Sequence, residues 1–479
     1  MWDSIKMFLI RRMIDVNGRN IDISKYDNRA EVTRWVNLYE GKPNWVTGSD
    51  SIESRGVAAA VVSELAKKVT IEMSSSVEGG DRAEYINKQY QRLIGRTRGI
   101  VGQLLVQGSG ILKPFISGSQ IGIEYVTAEN FIPIKFDDFD NLVEVIFLDK
   151  VKTSKFTYTK VETHVIEPDG SYTITNEAFL GQGTYGKMGT KVSLKEVAEW
   201  AHLEPEVNLA NIKHPFYVYL KTPFDNNFNM NSPLGVSVFS KVEGLFKDYD
   251  ETYSSMMWEF KGSELKVFVP QDFIDIDVDN NFNSASRPTK EQLSNLSRLY
   301  VGLSMDPMNK GSKLEVFSPT IRQQSYMDGL EVILRKIEFN TGLGYGILSQ
   351  ADSVDKTAEE IRSSKERSYA TILDIQKKIE YSYRHVIHVI DTMADLYAAE
   401  LGAPKKSDGD EEYEISFNFD KSIIVNKKQE LEMMLSEVEK GLQRPEFYLM
   451  ERYGLTLQEA LDRLPREIVT PVNSVNEED

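Results

Sequence analysis

The chain has 479 residues, 41% of them hydrophobic, more than one core usually organises, which points to roughly two to four domains or subdomains. It contains no cysteine, so a disulfide framework and a thiolate metal site are both excluded, and a reducing compartment is its expected setting. Its 73 acidic residues outnumber 56 basic ones for a net charge of −17, the opposite of the basic footprint expected of a tight nucleic-acid binder.

Near the start, Met7-Phe8-Leu9-Ile10 is followed rather than preceded by Arg11 and Arg12, an order that argues against a signal peptide. No stretch approaches the run of about 18 apolar residues that a membrane span needs, so no membrane partner is expected. Asn28 to Trp45 predicts a short amphipathic helix ending at Gly41. In Ile52 to Val69, Ala58, Val61, Val62, Leu65 and Ala66 recur at helical spacing. Another helix is expected from Arg82 to Gln107, weakened in its second half by Gly95, Gly99 and Gly102 and stopped at Gly108. From Ile111 to Leu220 short alternating runs (Ile121–Val126, Leu142–Leu148, Lys155–Tyr158, Tyr172–Asn176 and Phe216–Leu220) predict a meandering, mostly antiparallel β region.

After Pro233-Leu234-Gly235 a helix is expected to run to about Phe260. Ser263 to Val269 predicts a strand, Lys290 to Val301 a helix and Lys313 to Phe317 a strand, so a small α/β module separates this helix from the next, Ile321 to Asn340. Lys356 to Leu401 contains neither Pro nor Gly and, unbroken, would extend roughly 65–70 Å. In Glu412 to Asp420, Tyr413, Ile415, Phe417 and Phe419 share one face of a strand. Asn426 to Arg466 predicts two or three short helices separated at Gly441 and Gly454, before an acidic tail.

No motif nominates a catalytic centre. Gly181-Gln182-Gly183-Thr184-Tyr185-Gly186 has the GxGxxG form, but no helix or kinase signature follows it, so a glycine-rich hairpin loop is expected. His385, His388 and Asp391 lie three apart on the long helix without an HExxH pattern, and packing explains them better than metal; His164, His202 and His214 are taken as isolated. Asp275, Asp277 and Asp279 fail the calcium-loop pattern, because its sixth and twelfth positions hold Asn280 and Ser286. No metal, cofactor or enzymatic activity is expected.

The order of elements carries the function. Trp35, Tyr39, Gly41 and Trp45, then Gly110-Ile111-Leu112-Lys113-Pro114-Phe115, Ile123-Glu124-Tyr125-Val126 and Asn130-Phe131-Ile132-Pro133, stand in the early part. Pro233-Leu234-Gly235, Phe268-Val269-Pro270, Gly344-Tyr345-Gly346 and Lys356-Thr357-Ala358-Glu359-Glu360-Ile361 follow. In this order the chain resembles the portal proteins of tailed phages, particularly those of long-tailed phages of Gram-positive hosts.

The resemblance implies an α+β multi-region portal fold assembling into a ring, typically of twelve subunits, around a channel at the capsid vertex. It assigns residues 1–230 to a wing, 231–262 to a first stem helix, 263–320 to an α/β clip and 321–345 to a second stem helix. Residues 346–356 become a tunnel loop, 357–425 the long helix and a strand returning to the wing, and 426–479 a helical crown with its tail. Gln350, Ala351, Asp352, Ser353, Val354, Asp355 and Lys356 would line the channel. Lys266, Phe268, Arg298, Lys313 and Glu315 would form the clip's partner surface. The implied partners are double-stranded DNA, the terminase large subunit, head-completion or connector proteins, and the major capsid and scaffolding proteins. The implied location is the virion, after assembly in the host cytoplasm. A minor head or connector component of the particle is the alternative.

Overall fold

The computed structural model describes residues 26–46, 52–153, 155–182, 189–270, 299–303, 315–350, 358–405, 413–419 and 427–464. Helix α1 (Arg29–Tyr39) buries Val32, Trp35 and Leu38 and stops at Gly41, which takes a left-handed φ of 73°. Helix α2 (Val57–Thr70) buries Ala58, Val61, Val62, Leu65, Ala66 and Val69, a stripe wide enough to pack on two neighbours. Strand β1 is Ser74–Glu78.

The helix expected over Arg82–Gln107 is two helices, α3 (Asp81–Ile94) and α4 (Thr97–Gln107). The break falls at Gly95-Arg96, where glycine's poor helix propensity meets two competing bonds. Arg96 donates to the carbonyl of Ile123, and the Thr97 hydroxyl lies 2.9 Å from that of Tyr383.

Gly108 ends α4 with φ 79°, and a Cβ there would stand 2.5 Å from the backbone of Val236. A Cβ on Gly235 would likewise meet the Gly108 carbonyl oxygen at 2.1 Å, so two backbones touch where any side chain would part them. This contact corrects the helix expected from Gly235. Residues 236–242 are held by α4 instead, with Val238 donating to the Leu105 carbonyl at 3.0 Å, and helix α5 begins only at Glu243 and ends at Gly262.

The β region forms two antiparallel sheets. Strands β2 (Ser109–Ser117), β3 (Gln120–Thr127) and β10 (Val218–Lys221) make one, in the order β10-β2-β3. Strands β4 (Phe131–Phe136), β5 (Leu142–Lys152), β6 (Phe156–Ile166), β7 (Tyr172–Gln182) and β8 (Thr190–Val192) follow in order in the other, and β9 (Glu206–Leu209) pairs with β7.

Beyond α5, strands β11 (Lys266–Pro270), β12 (Tyr300–Leu303) and β13 (Glu315–Phe317) form a small sheet in the order β12-β11-β13. Tyr300 and Val301, expected in a helix, instead pair in parallel with Val267 and Phe268. Aromatic and β-branched residues favour that setting when a partner strand is at hand. The rest of that expected helix, Lys290–Arg298, lies outside the described residues. Helix α6 (Gln323–Thr341) returns against α5 and is closed by Gly342 at φ 75°.

Helix α7 (Ala358–Leu396) has 39 residues, a rod of about 58 Å. It is continuous through Tyr381–Tyr383 and buries Ile372, Ile375, Ile379, Tyr383, Val386, Ile387, Ile390 and Met393. It ends at Leu396, not Leu401: Tyr397 leaves the helical path before the single turn α8 (Ala398–Leu401). Strand β14 (Glu414–Asn418) then pairs antiparallel with β1. One core joins α1–α4, both antiparallel sheets, the end of α6 and α7. Helices α9 (Lys427–Glu439), α10 (Pro445–Tyr453) and α11 (Leu457–Arg463) follow as a separate group.

Candidate functional site

Two of the expected clip residues share β11: Lys266 and Phe268, both half-buried two residues apart and therefore on one face. Phe268 stands opposite Glu315 in the register, and its ring meets Phe317 edge-on at 6.2 Å. The small sheet thus brings Lys266, Phe268 and Glu315 together. Arg298 and Lys313 lie outside the described residues.

The helix pair beneath this sheet is antiparallel, because the end of α5 meets the start of α6. There Arg322 is bonded to Glu259 through its guanidinium at 2.7 Å and its backbone N–H at 3.1 Å. Those bonds hold the Glu259 carboxyl down at about 2. Trp258, Met327 and Val332 on the pair are exposed, as are Val316 and Phe317 in the sheet.

Of the expected channel residues, Gln350 is described and exposed; Ala351, Asp352, Ser353, Val354, Asp355 and Lys356 lie outside the described residues. The approach to them is built with care. Glu338, fully buried in the last turn of α6, accepts the backbone N–H groups of Ile347, Leu348 and Ser349 at 2.9, 2.6 and 3.0 Å on one oxygen. Its other oxygen accepts the Ser349 hydroxyl at 2.7 Å and the Gly346 N–H at 3.4 Å. Glu331, two turns back on the same face, takes the Gln350 N–H at 3.1 Å and bonds Arg335. Sequence reasoning missed both acids. Glutamates seven apart before Gly342-Leu343-Gly344-Tyr345-Gly346 are the only signal, and it is faint.

The long helix is anchored at the same place. The Arg367 guanidinium lies 4.1 Å from the Phe339 ring centre, and Thr371 crowds Gly342.

The histidines are not as isolated as expected. His214 stacks on His388 at 5.7 Å and meets His385 edge-on at 5.2 Å, while His388 bonds the Tyr413 hydroxyl. Sequence spacing joins His385 to His388 but cannot bring in a residue from the loop before β10. Burial pushes the His214 and His385 imidazoles below their ordinary value, and the neighbouring histidines add to it. Among the described residues no group of three or more His, Cys, Asp or Glu is arranged to hold a metal.

His164 is buried between Glu162, 2.7 Å away, and the Tyr172 hydroxyl. Burial raises and Lys113, 2.6 Å away, lowers the Glu162 carboxyl, and with His164 and Lys160 the net is well below the usual range. The GxGxxG stretch begins at the end of β7, and β8 pairs back on that strand, the expected hairpin; residues 183–188 themselves lie outside the described residues, as do Asp275, Asp277 and Asp279.

The helix pair carries a small sheet, and both leave apolar side chains exposed. The profile of the family "Phage portal protein, SPP1 Gp6-like" matches residues 28–468, and the chain belongs to that family. It is a phage portal protein.

No curated protein matches the chain. Among solved structures it is similar to a chain in the virion of a native gene transfer agent particle, at 10% identity and TM-score 0.45, covering 89% of this chain and 94% of that one. A chain in the neck of such a particle, computed with C12 symmetry, is similar at 10% identity and TM-score 0.42, with the same coverage of 89% and 94%. Among the described residues no helix is long and apolar enough to cross a membrane.

Proposed function

We propose that this portal protein forms a ring, of twelve subunits in the virion, whose central channel admits, retains and releases double-stranded DNA at the capsid vertex. The wing is residues 1–230, the stem helices 231–262 and 321–345, the clip 263–320, the tunnel loop 346–356, the returning long helix and strand 357–425, and the crown 426–479. The observation that supports the reading is the antiparallel pair α5 and α6, which carries the β11–β13 sheet at one end and the approach to the tunnel loop at the other. One subunit leaves apolar side chains of that pair and sheet in water, and neighbouring subunits would cover them.

The clip, with Lys266, Phe268, Arg298, Lys313 and Glu315, would receive the terminase large subunit during packaging and head-completion or connector proteins afterwards. The wing and crown would face the major capsid and scaffolding proteins. The subunit needs no nucleotide chemistry of its own in this scheme; the terminase supplies it, and assembly occurs in the host cytoplasm.

Mass measurement and negative-stain imaging of the purified protein test the reading. We expect a closed ring of twelve subunits, or a neighbouring integer for isolated protein, with a bore of duplex width. A monomer at all concentrations, or a filament without a bore, would sink it.

A further inference from the structure

A glutamate in the last turn of a helix is in an unfavourable place, since that end of the dipole is negative and favours Lys or Arg. Burial makes the charge costlier still. Yet Glu338 sits there fully buried, and its two oxygens collect the N–H groups of Gly346, Ile347, Leu348 and Ser349 together with the Ser349 hydroxyl. Glu331 takes the next N–H in line, that of Gln350. Five consecutive backbone donors therefore converge on two carboxylates of one helix, the reverse of an ordinary anion-binding nest in which the anion comes from outside. A helix cap needs free carbonyls satisfied, and nothing in that task calls for an acid. What the arrangement does achieve is a peptide segment strapped along the face of α6.

We infer that Glu338, assisted by Glu331, is a positioning residue that fixes residues 346–350 to the second stem helix, so that the chain enters the channel from a point that moves with that helix. The far side of the same corner is tied as well. Arg367 lies over Phe339, Thr371 fills the space beside Gly342, and Ile337, Leu343, Ile372 and Ile375 share one core. A tilt of α6 is thus carried to residues 347–350 with little slack, since the bonds from Ile347, Leu348, Ser349 and Gln350 are 2.6–3.1 Å and made to carboxylates, while the Gly346 N–H is held more loosely at 3.4 Å. The inference rests on the proposal that residues 346–356 enter the channel.

The test compares wild-type rings with Glu338→Gln rings, in which one acceptor oxygen becomes a donor facing donors. Amide hydrogen exchange over residues 346–350 should accelerate about tenfold or more, with the interior of α6 unchanged. DNA packaging should fall in the same rings. Glu338→Asp, which keeps the charge on a shorter arm, should recover part of both. Unchanged exchange overturns the strap, and faster exchange with undiminished packaging overturns the positioning role. Should Glu338→Gln fail to form rings, Glu331→Gln is read the same way at Gln350 alone. Because the chain has no cysteine, Ser353→Cys supplies a single thiol. If a bulky maleimide on it leaves packaging untouched, the channel reading falls, and the inference with it, even where the exchange result stands.

Discussion

Single charged side chains hold the main core together at points far apart in the chain. Arg82, 2% exposed, donates to Asp391 at 2.9 Å, to Asp395 at 2.7 Å and to the Pro404 carbonyl at 2.9 Å, locking α3 to the end of α7. Removing one partner of a buried pair leaves the other charge uncompensated, so Arg82→Ala should cost about 3–5 kcal/mol in urea unfolding. Arg82→Lys should recover only part of that, because one ammonium cannot reach the four acceptors, including the Asp391 carbonyl, that are arranged around a guanidinium. A midpoint unchanged in Arg82→Ala would refute the assignment. The histidines predict a pH dependence. Burial lowers His164, His214 and His385 below their ordinary 6.5. The unfolded chain therefore takes up protons first, and stability is full above 6.5 and falls as the pH drops through the lowered folded values. Glu162, held well below the usual carboxylate value, adds a second loss at lower pH, below about 4.5. Around His214 the neighbouring His385, His388 and Lys213 oppose protonation, while Asp391 and Asp395 act on Tyr413, the partner of His388. The melting temperature should decline from pH 7.5 to 5.5, and less steeply in His214→Gln; a flat profile in the wild type would contradict this.

At the scale of elements, helices α5 and α6 would, in the proposed ring, separate what folds a subunit from what joins subunits. Leu330 and Ile337 on α6 and Phe246 and Met256 on α5 are buried within the chain, while Trp258, Met327 and Val332 face outward. Val332→Glu should therefore leave the circular dichroism and melting of the subunit within about 0.5 kcal/mol of wild type, as exposed substitutions do. The same variant should shift the assembled mass towards monomer, since in a ring the charge would be buried without a partner. A full-size ring from this variant would exclude that face from the subunit contact. Periodicity made these helices readable from sequence, as it did α2 and β14, because their apolar residues repeat at 3.6 or 2. What remained hidden was set by distant contacts. The start of α5 depends on Gly108 meeting Gly235, the gap between α3 and α4 on Tyr383, and the parallel strand at Tyr300 on β11. The resemblance offered a place for the site, of whose expected channel residues only Gln350 is among the described ones, and it gave no sign of the strap at Glu338, since that needs a turn that brings residues 346–350 back along the helix they have just left.

For the whole molecule, the net charge of −17 multiplied around the proposed ring poses a question about DNA that the geometry of one subunit does not. A conduit differs from a binder in that each phosphate contact must be broken as soon as it forms. Every phosphate neutralised by a fixed cation releases counterions and deepens the well from which the duplex must next be pulled. A ring whose symmetry differs from that of the DNA helix also gains nothing from base-specific contacts, since no register persists as the duplex advances. Acidic residues along the bore would keep such wells shallow, and Asp352 and Asp355 in the proposed tunnel loop are the candidates. If the tunnel loop lines the bore as proposed, converting both to Lys adds cations around it and should slow or arrest packaging at low ionic strength. Because that brake is counterion release, affinity for the duplex should fall with salt by about 0.9 log units per log unit for each phosphate engaged, so packaging should recover as salt is raised. A purely steric effect of the longer side chains would persist at high salt, and equal rates for variant and wild type at every salt concentration would show that charge at these two positions has no part in translocation.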